Sequence, residues 1–142
     1  MDKNYRFLFG FLGGISLVLG GLIYIFFRRE SYVSILFYEI FNIENKEFVE
    51  SGSFVGIYLG DFLWAFSFSL FLHMIYLPTV NASFVLSSIV VIMGVIYEIC
   101  QSKGFISGTG DIIDALIYLF AAFAVNILNF TRRQKNEKQK II

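Results

Sequence analysis

Five hydrogen-bonding or ionisable side chains lie within or beside long apolar stretches of this sequence: Asp61, Glu98, Gln101, Asp111 and Asp114. Carboxylates can bind a cation, exchange protons or hold a metal ion, and an amide both donates and accepts hydrogen bonds. A charge inside a bilayer costs about 3 kcal/mol or more unless it is paired or hydrated. The positions of these side chains therefore predict a functional site built from acidic groups.

The chain that carries them has the composition of a membrane protein. Of its 142 residues, 57% are hydrophobic and 15% are charged, and the mean hydropathy is +0.72. Several apolar stretches have about 20 residues, the length that a helix needs to cross a bilayer. Basic and acidic residues balance at 11 each, and many of the cations lie in a short C-terminal tail. Nucleic-acid binding is therefore not expected.

The apolar stretches predict an all-α membrane protein, a bundle of four transmembrane helices with an added helix between the first and second. We expect a single domain over residues 1–130 and a basic cytoplasmic tail over residues 131–142. The four spans are expected at about residues 6–27, 57–77, 83–101 and 111–130. The first span is expected to be retained, because no small-residue cleavage pattern follows it.

Residues 31–43 are too short to span a bilayer, although their apolar side chains recur at helical spacing. This segment is either an interfacial helix on the outer leaflet or an apolar helix packed on the bundle. The acidic stretch from Glu44 to Glu50 is expected to be an exposed loop.

The distribution of lysine and arginine predicts that both termini are cytoplasmic. Seven of these residues flank the termini, against four on the opposite side. Because they are retained on the cytoplasmic side, we expect a multi-pass protein of the cytoplasmic membrane. The basic tail either fixes this topology or contacts anionic membrane lipids.

In this topology three carboxylates lie at one depth near the external face. Asp61 and Glu98 are 19 and 18 residues from the turn near Val80, and Glu98 and Asp114 are each eight residues from Ile106 in the external loop. At about 1.5 Å per residue, the three carboxylates are level. They are expected to share an external vestibule.

Helical spacing also predicts which residues share a face, since residues three or four apart are neighbours. The pairs expected to point into the bundle are Glu98 with Gln101, Asp111 with Asp114, and Tyr97 with Gln101. Below Asp114, the same stripe continues through Tyr118, Ala121 and Val125.

Each polar residue also has a structural interpretation. Asp111 follows a glycine-rich stretch and is expected to cap a helix. Asp61 is either a first-turn acid or a site residue. Glu98 ends its helix, where the dipole disfavours an anion, so a functional or network-forming role is expected. His73 is expected to bond a backbone carbonyl or a neighbouring helix, with a proton relay as the alternative. Cys100 is expected to be a packing residue.

The glycines of the first span form a smooth face at Gly10, Gly14 and Gly21. Small residues at this spacing allow another helix to approach closely. The expected partner is another membrane protein or a second copy of the chain.

The stretch Tyr97-Glu98-Ile99-Cys100-Gln101, followed by Asp111-Ile112-Ile113-Asp114, resembles the VanZ-like family of small bacterial membrane proteins. In that family a Glu-x-x-Gln pair ends one span and an aspartate opens the next. The resemblance covers residues 61–124. Tyr118 and Ala121 stand where the family often has asparagine and glycine, and the usual loop arginine is absent, so the chain is identified as a divergent member.

The resemblance implies a role in the cell envelope, since the founding member is associated with low-level resistance to the glycopeptide teicoplanin. The leading hypothesis is an external pocket of Glu98, Gln101 and Asp114, with Asp61, Asp111 and Tyr118 as further candidates, that binds a glycopeptide or a lipid-linked envelope precursor. A metal-dependent enzyme, with a divalent cation held by Glu98 and Asp114, is less favoured because no histidine or serine nucleophile is in reach. A proton- or cation-coupled carrier and a purely structural partner protein remain alternatives.

Overall fold

A computed structural model describes residues 2–27, 32–42, 55–77, 79–106 and 110–140, and these residues are helical apart from short connections. The helices are α1 (Asp2–Phe27), α2 (Tyr32–Phe41), α3 (Gly60–Tyr76), α4 (Val80–Ser102) and α5 (Ile112–Lys140), and a π-helical turn (Val55–Leu59) leads into α3. No strand occurs within the described ranges. The all-α class expected from the sequence is therefore confirmed for this part of the chain.

Three of the helices are long and apolar enough to cross a membrane, with mean hydropathies of 2.1, 2.1 and 1.9: Lys3–Phe27, Val80–Ser102 and Ile112–Lys138. Large apolar side chains such as Phe84 and Ile92 on α4 are more than half exposed, as expected for a surface that faces lipid. α3 lies where the second span is expected but has only 17 residues, a length of about 26 Å at the usual helical rise. The three long helices support a multi-pass membrane protein.

α3 lies at the centre of the bundle and packs against α1, α4 and α5. Successive long helices run in opposite directions, since contacts join Gly10 to Met74 and His73 to Ser83. The start of α1 and the end of α5 therefore lie at the same end of the bundle. We call this the basic end, and the opposite end, where α3 begins, the acidic end.

Glycines bring α1 close to α3. A Cβ atom added to Gly13 would lie 3.1 Å from the Phe71 ring, and one added to Gly10 would lie 2.7 Å from the sulfur of Met74. Gly10 thus packs within the bundle, although it was expected on a face for an outside partner. Among the described residues, no atom outside the neighbouring backbone of α1 lies within 4 Å of a Cβ added to Gly14 or Gly21, and a partner at this face stays a prediction.

α2 occupies most of the short apolar segment expected at residues 31–43. It packs on α1, where the Tyr38 hydroxyl donates to the Ile25 carbonyl at 3.2 Å. Ile40 and Phe41 are more than half exposed, so the helix also presents an apolar surface outward. The acidic stretch of residues 44–50 lies outside the described residues.

Two helix boundaries differ from those expected. α4 begins at Val80, because the Thr79 hydroxyl accepts a hydrogen bond from the Ala82 backbone at 3.4 Å and caps the helix. α5 continues through residue 140, and Arg132 is only 5% exposed. Residues 131–140 of the expected tail therefore continue α5.

Candidate functional site

Three buried carboxylates from three helices lie near the acidic end. Asp61 in α3, Glu98 in α4 and Asp114 in α5 are 5%, 7% and 7% exposed, and Tyr118, which contacts Glu98, is 8% exposed. All three carboxylates are near enough to Tyr118 to interact electrostatically with its hydroxyl. We call these four residues the acidic cluster. The three carboxylates thus lie at the same end of the bundle.

Glu98 links α4 to α5 through both of its oxygens. Its Oε1 atom accepts a hydrogen bond of 2.8 Å from the Tyr118 hydroxyl, and its Oε2 atom accepts one of 3.0 Å from the Asp111 backbone N–H. A carboxylate that accepts hydrogen bonds is stabilised against the cost of burial. Glu98 therefore forms a hydrogen-bond network between α4 and the start of α5, one of the two roles expected for it.

Asp61 connects the cluster to α1, because it accepts a hydrogen bond from the Tyr24 hydroxyl. It also lies in the first turn of α3. Asp61 is therefore both a first-turn acid and a member of the cluster, two roles that the sequence analysis treated as alternatives. The Tyr24 ring in turn contacts Trp64 edge-on, with ring centroids 6.2 Å apart. Tyr24 was not identified from the sequence, since α1 is apolar around most of its circumference.

Two glycines allow the close approach of α4 and α5. A Cβ atom on Gly94 would lie 2.2 Å from the Tyr118 ring, and one on Gly110 would lie 2.5 Å from the Glu98 carbonyl oxygen. Both contacts are possible only without a side chain. Gly94 precedes Glu98 by one helical turn on the same face, and this spacing is the signal that could have identified it.

Gln101 and Asp111 form the partly exposed outer rim of the acidic cluster. The Asp111 Oδ1 atom accepts a hydrogen bond of 3.0 Å from the Ile113 backbone N–H, directly at the start of α5. The expected capping role of Asp111 is confirmed. Tyr97, expected to point inward, is instead 45% exposed.

Replacing Asp111 by alanine should lower the free energy of unfolding by about 1 kcal/mol, the usual cost of losing an N-cap. Asp111→Asn retains the acceptor and should lose much less. Thermal unfolding of the detergent-purified variants would measure the difference. Equal losses in the two variants would show that the hydrogen bond accepted by the Asp111 side chain is not what stabilises α5.

The chemistry available to the acidic cluster is that of concentrated negative charge and hydrogen-bond acceptors. Such a site attracts a cationic or amide group from outside. Among the described residues, no group of three or more His, Cys, Asp or Glu residues could hold a metal ion. The weaker metal candidates, Glu98 and Asp114, belong to the cluster but are not part of such a group.

The remaining polar residue considered from the sequence, His73, lies toward the basic end and is fully buried. Its ring nitrogens contact the Ser69 carbonyl and the Ser83 hydroxyl on the neighbouring helix. The expected hydrogen bonding of His73 is confirmed. Cys100 is a partly buried free thiol.

Comparison with protein-family models, curated proteins and solved structures finds no match to this chain.

Proposed function

We propose that this chain is a divergent VanZ-like protein of the bacterial cell envelope, and that its acidic cluster binds a cationic or amide-rich group of a glycopeptide or a lipid-linked envelope precursor. The observation that carries the proposal is that Asp61, Glu98 and Asp114 are buried on three helices at one end of the bundle, within electrostatic range of the Tyr118 hydroxyl. Charged groups at membrane depth are costly and mark functional sites by default.

The proposed recognition uses two layers of the site. Gln101 and Asp111 at the partly exposed rim make the first contacts, through an amide and a carboxylate oxygen. The deeper carboxylates supply the negative potential, which strengthens in a medium of low dielectric constant. A cationic group that reaches Glu98 replaces the hydrogen bond from the Tyr118 hydroxyl or from the Asp111 backbone.

The proposed topology has four crossings. Three are made by the long helices α1, α4 and α5, and the remaining one is made by α3 together with the π-helical turn that precedes it. Support comes from the common end shared by the start of α1 and the end of α5, since an even number of crossings returns the chain to its starting side. The basic end is then cytoplasmic, because Arg133, Lys135 and Lys138 lie there. The acidic cluster faces outward, and α2 lies at the outer interface.

A double variant, Glu98→Gln with Asp114→Asn, tests the proposed site. We expect calorimetric binding of teicoplanin or of a purified lipid-linked peptidoglycan precursor to the wild-type protein in detergent, and a loss of at least about tenfold in affinity in the variant. Two lost charge-assisted hydrogen bonds account for a change of this size. Cells that express the variant should lose any protection from teicoplanin at an unchanged protein level.

The matched control is Glu39→Gln with Glu137→Gln, because these two glutamates are exposed on α2 and α5, away from the cluster. This control should bind as the wild type does. Equal binding by the cluster variant and the wild type would exclude the acidic cluster as the site. No binding of either probe to the wild type would exclude this class of ligand.

A further inference from the structure

A second buried polar network joins α3, α4 and α5 toward the basic end. His73 has none of its surface exposed. Its Nδ1 atom lies 2.8 Å from the Ser69 carbonyl oxygen, and its Nε2 atom lies 2.7 Å from the Ser83 hydroxyl oxygen. Both ring nitrogens are therefore at hydrogen-bond distance from an oxygen atom.

The network continues from α4 to α5. The Ser83 hydroxyl oxygen lies 2.6 Å from Asn126 Oδ1, and Asn126 Nδ2 lies 2.9 Å from the Ala122 carbonyl oxygen. With the two histidine contacts, this makes a chain of four contacts between nitrogen or oxygen atoms. Each contact needs one proton to be a hydrogen bond.

A neutral histidine leaves this chain one proton short. The ring supplies one proton, the Ser83 hydroxyl supplies one, and the Asn126 amide supplies one toward Ala122. If the ring proton is on Nδ1, then Nε2 and Asn126 Oδ1 compete for the Ser83 proton. If it is on Nε2, then Nδ1 faces the Ser69 carbonyl without a proton.

Turning the Asn126 amide around does not remove the shortage. Nδ2 would then donate to Ser83, but Oδ1 would face the Ala122 carbonyl, and two acceptors would meet at 2.9 Å. A second proton on the His73 ring completes all four hydrogen bonds. His73 then donates from both nitrogens, Ser83 donates to Asn126, and Asn126 donates to Ala122.

We propose that His73, Ser83 and Asn126 form a buried proton-binding site that joins α3, α4 and α5. The proton comes from water and returns to water, and no other group is consumed. This site is separate from the acidic cluster and does not depend on the function proposed for it.

The surroundings include groups that oppose and groups that favour the added charge. Burial opposes it most strongly, and Arg132 on α5 is close enough to repel it as well. His73 lies in the last turn of α3, where the helix dipole stabilises a cation. From α1, the uncharged Phe9 ring packs edge-on to His73 at 6.4 Å, and from α4 the facing group is the Ser83 hydroxyl.

An open cavity lies beside the site. A cavity of about 150 Å³ lies between α4 and α5, and three of its lining residues are Ser83, Asn126 and Asn129. Since a water molecule occupies about 30 Å³ of liquid volume, this cavity has room for water beside the two network residues.

Nitrogen-15 NMR of protein labelled only at histidine tests the proposal directly, because the chain contains one histidine. We expect both ring nitrogens to become protonated as the pH is lowered, within the pH range in which the protein stays folded. Ser83→Ala removes the acceptor for the Nε2 proton and should lower the proton affinity about fivefold, which corresponds to one hydrogen bond.

The matched control is Ser88→Ala. Ser88 lies on the same helix, but its exposed hydroxyl donates to the Phe84 carbonyl at 2.8 Å, so this variant should titrate as the wild type does. A ring with one protonated nitrogen throughout the pH range of the folded protein would overturn the proposal. A titration in Ser83→Ala that equals the wild type would also overturn it.

A second variant keeps the test decisive if Ser83→Ala does not fold. Asn126→Asp places a carboxylate on the far side of the Ser83 hydroxyl from His73. It should raise the proton affinity of the His73 ring at least fivefold, because a nearby negative charge favours the protonated ring. An unchanged titration in Asn126→Asp would contradict the proposed network.

Discussion

Replacing Glu98 by alanine is expected to lower the free energy of unfolding by about 2 to 4 kcal/mol. The substitution removes the acceptor for two donors, the Tyr118 hydroxyl and the Asp111 backbone N–H. A buried donor without an acceptor costs about 1 to 3 kcal/mol. Asp111 is only partly buried, and its N–H can regain water, so most of the loss is expected from Tyr118.

Chemical unfolding of the purified protein in detergent would measure this loss. Glu137→Ala is the control, since Glu137 is exposed on α5, and it should change stability by less than about 0.5 kcal/mol. Glu98→Ala that is as stable as this control would mean that Glu98 does not hold α4 against α5.

A double-mutant cycle with Tyr118→Phe separates the hydrogen bond from the rest of the change. In the wild type, Tyr118→Phe removes a donor to a charged acceptor, whereas in Glu98→Ala the hydroxyl already lacks this acceptor. The two changes should therefore be coupled by about 1.5 to 3 kcal/mol, the range for hydrogen bonds to charged groups. Additive losses would contradict a direct contribution from this bond.

The common end of Asp61, Glu98 and Asp114 in the bundle could be predicted from the sequence for two reasons. The helical rise is fixed at about 1.5 Å per residue, and the connections before and after α4 are short, so equal residue counts give equal depths. The inward stripe of α5 was also predictable from helical spacing. Tyr118, Ala121 and Val125 are all buried.

The rotation of each helix was less predictable. Tyr97 and Gln101 are four residues apart, but Tyr97 and Glu98 are adjacent and differ by about 100° around the helix axis. Because Glu98 points inward, Tyr97 is directed outward, and its side chain is exposed in the structure. The apolar sequence of α1 gave no preferred face that would place Tyr24 against Asp61, because lipid and protein surroundings both accept apolar side chains.

Burial near the end of α5 could not be inferred from charge alone. Arg132 was grouped with the basic residues of an expected tail, yet it is buried on the helix that also supplies Asn126 and Asn129. Long cationic side chains can lie along a helix bundle with their apolar stems packed. A charge count identifies the side of the membrane but not which cations enter the bundle.

The acidic cluster and the histidine network are two separate polar sites on the same three helices. Between them, Ala65, Val90 and Ala121 pack together as a buried apolar layer. We therefore expect a variant in one site to leave the direct readout of the other unchanged.

Gly94→Ala is expected to destabilise the protein by about 1 to 3 kcal/mol, the usual range for overpacking. The added Cβ would lie 2.2 Å from the Tyr118 ring and within 2.7 Å of two more ring atoms. Tyr118 is buried and donates to Glu98, so its ring has little room to move. Alanine favours a helix by about 1 kcal/mol over glycine, and the steric cost must exceed this gain.

Gly14→Ala is the matched control, because no atom lies within 4 Å of its added Cβ. The same exchange should be neutral or stabilise α1 by up to about 1 kcal/mol. Thermal unfolding of both variants in the same detergent would show whether each exchange raises or lowers the stability. A loss in Gly14→Ala similar to that in Gly94→Ala would instead indicate that the outer face of α1 packs against another protein, such as a second copy of the chain.

The steric cause can be isolated by removing the ring. In a Tyr118→Ala background the atoms that the new Cβ would meet are absent, so Gly94→Ala should lose most of its cost and show the helix-propensity gain instead. The expected coupling between the two substitutions is about 1 to 3 kcal/mol, as for residues in direct contact. If Gly94→Ala destabilises both backgrounds equally, its cost does not come from contact with the Tyr118 ring.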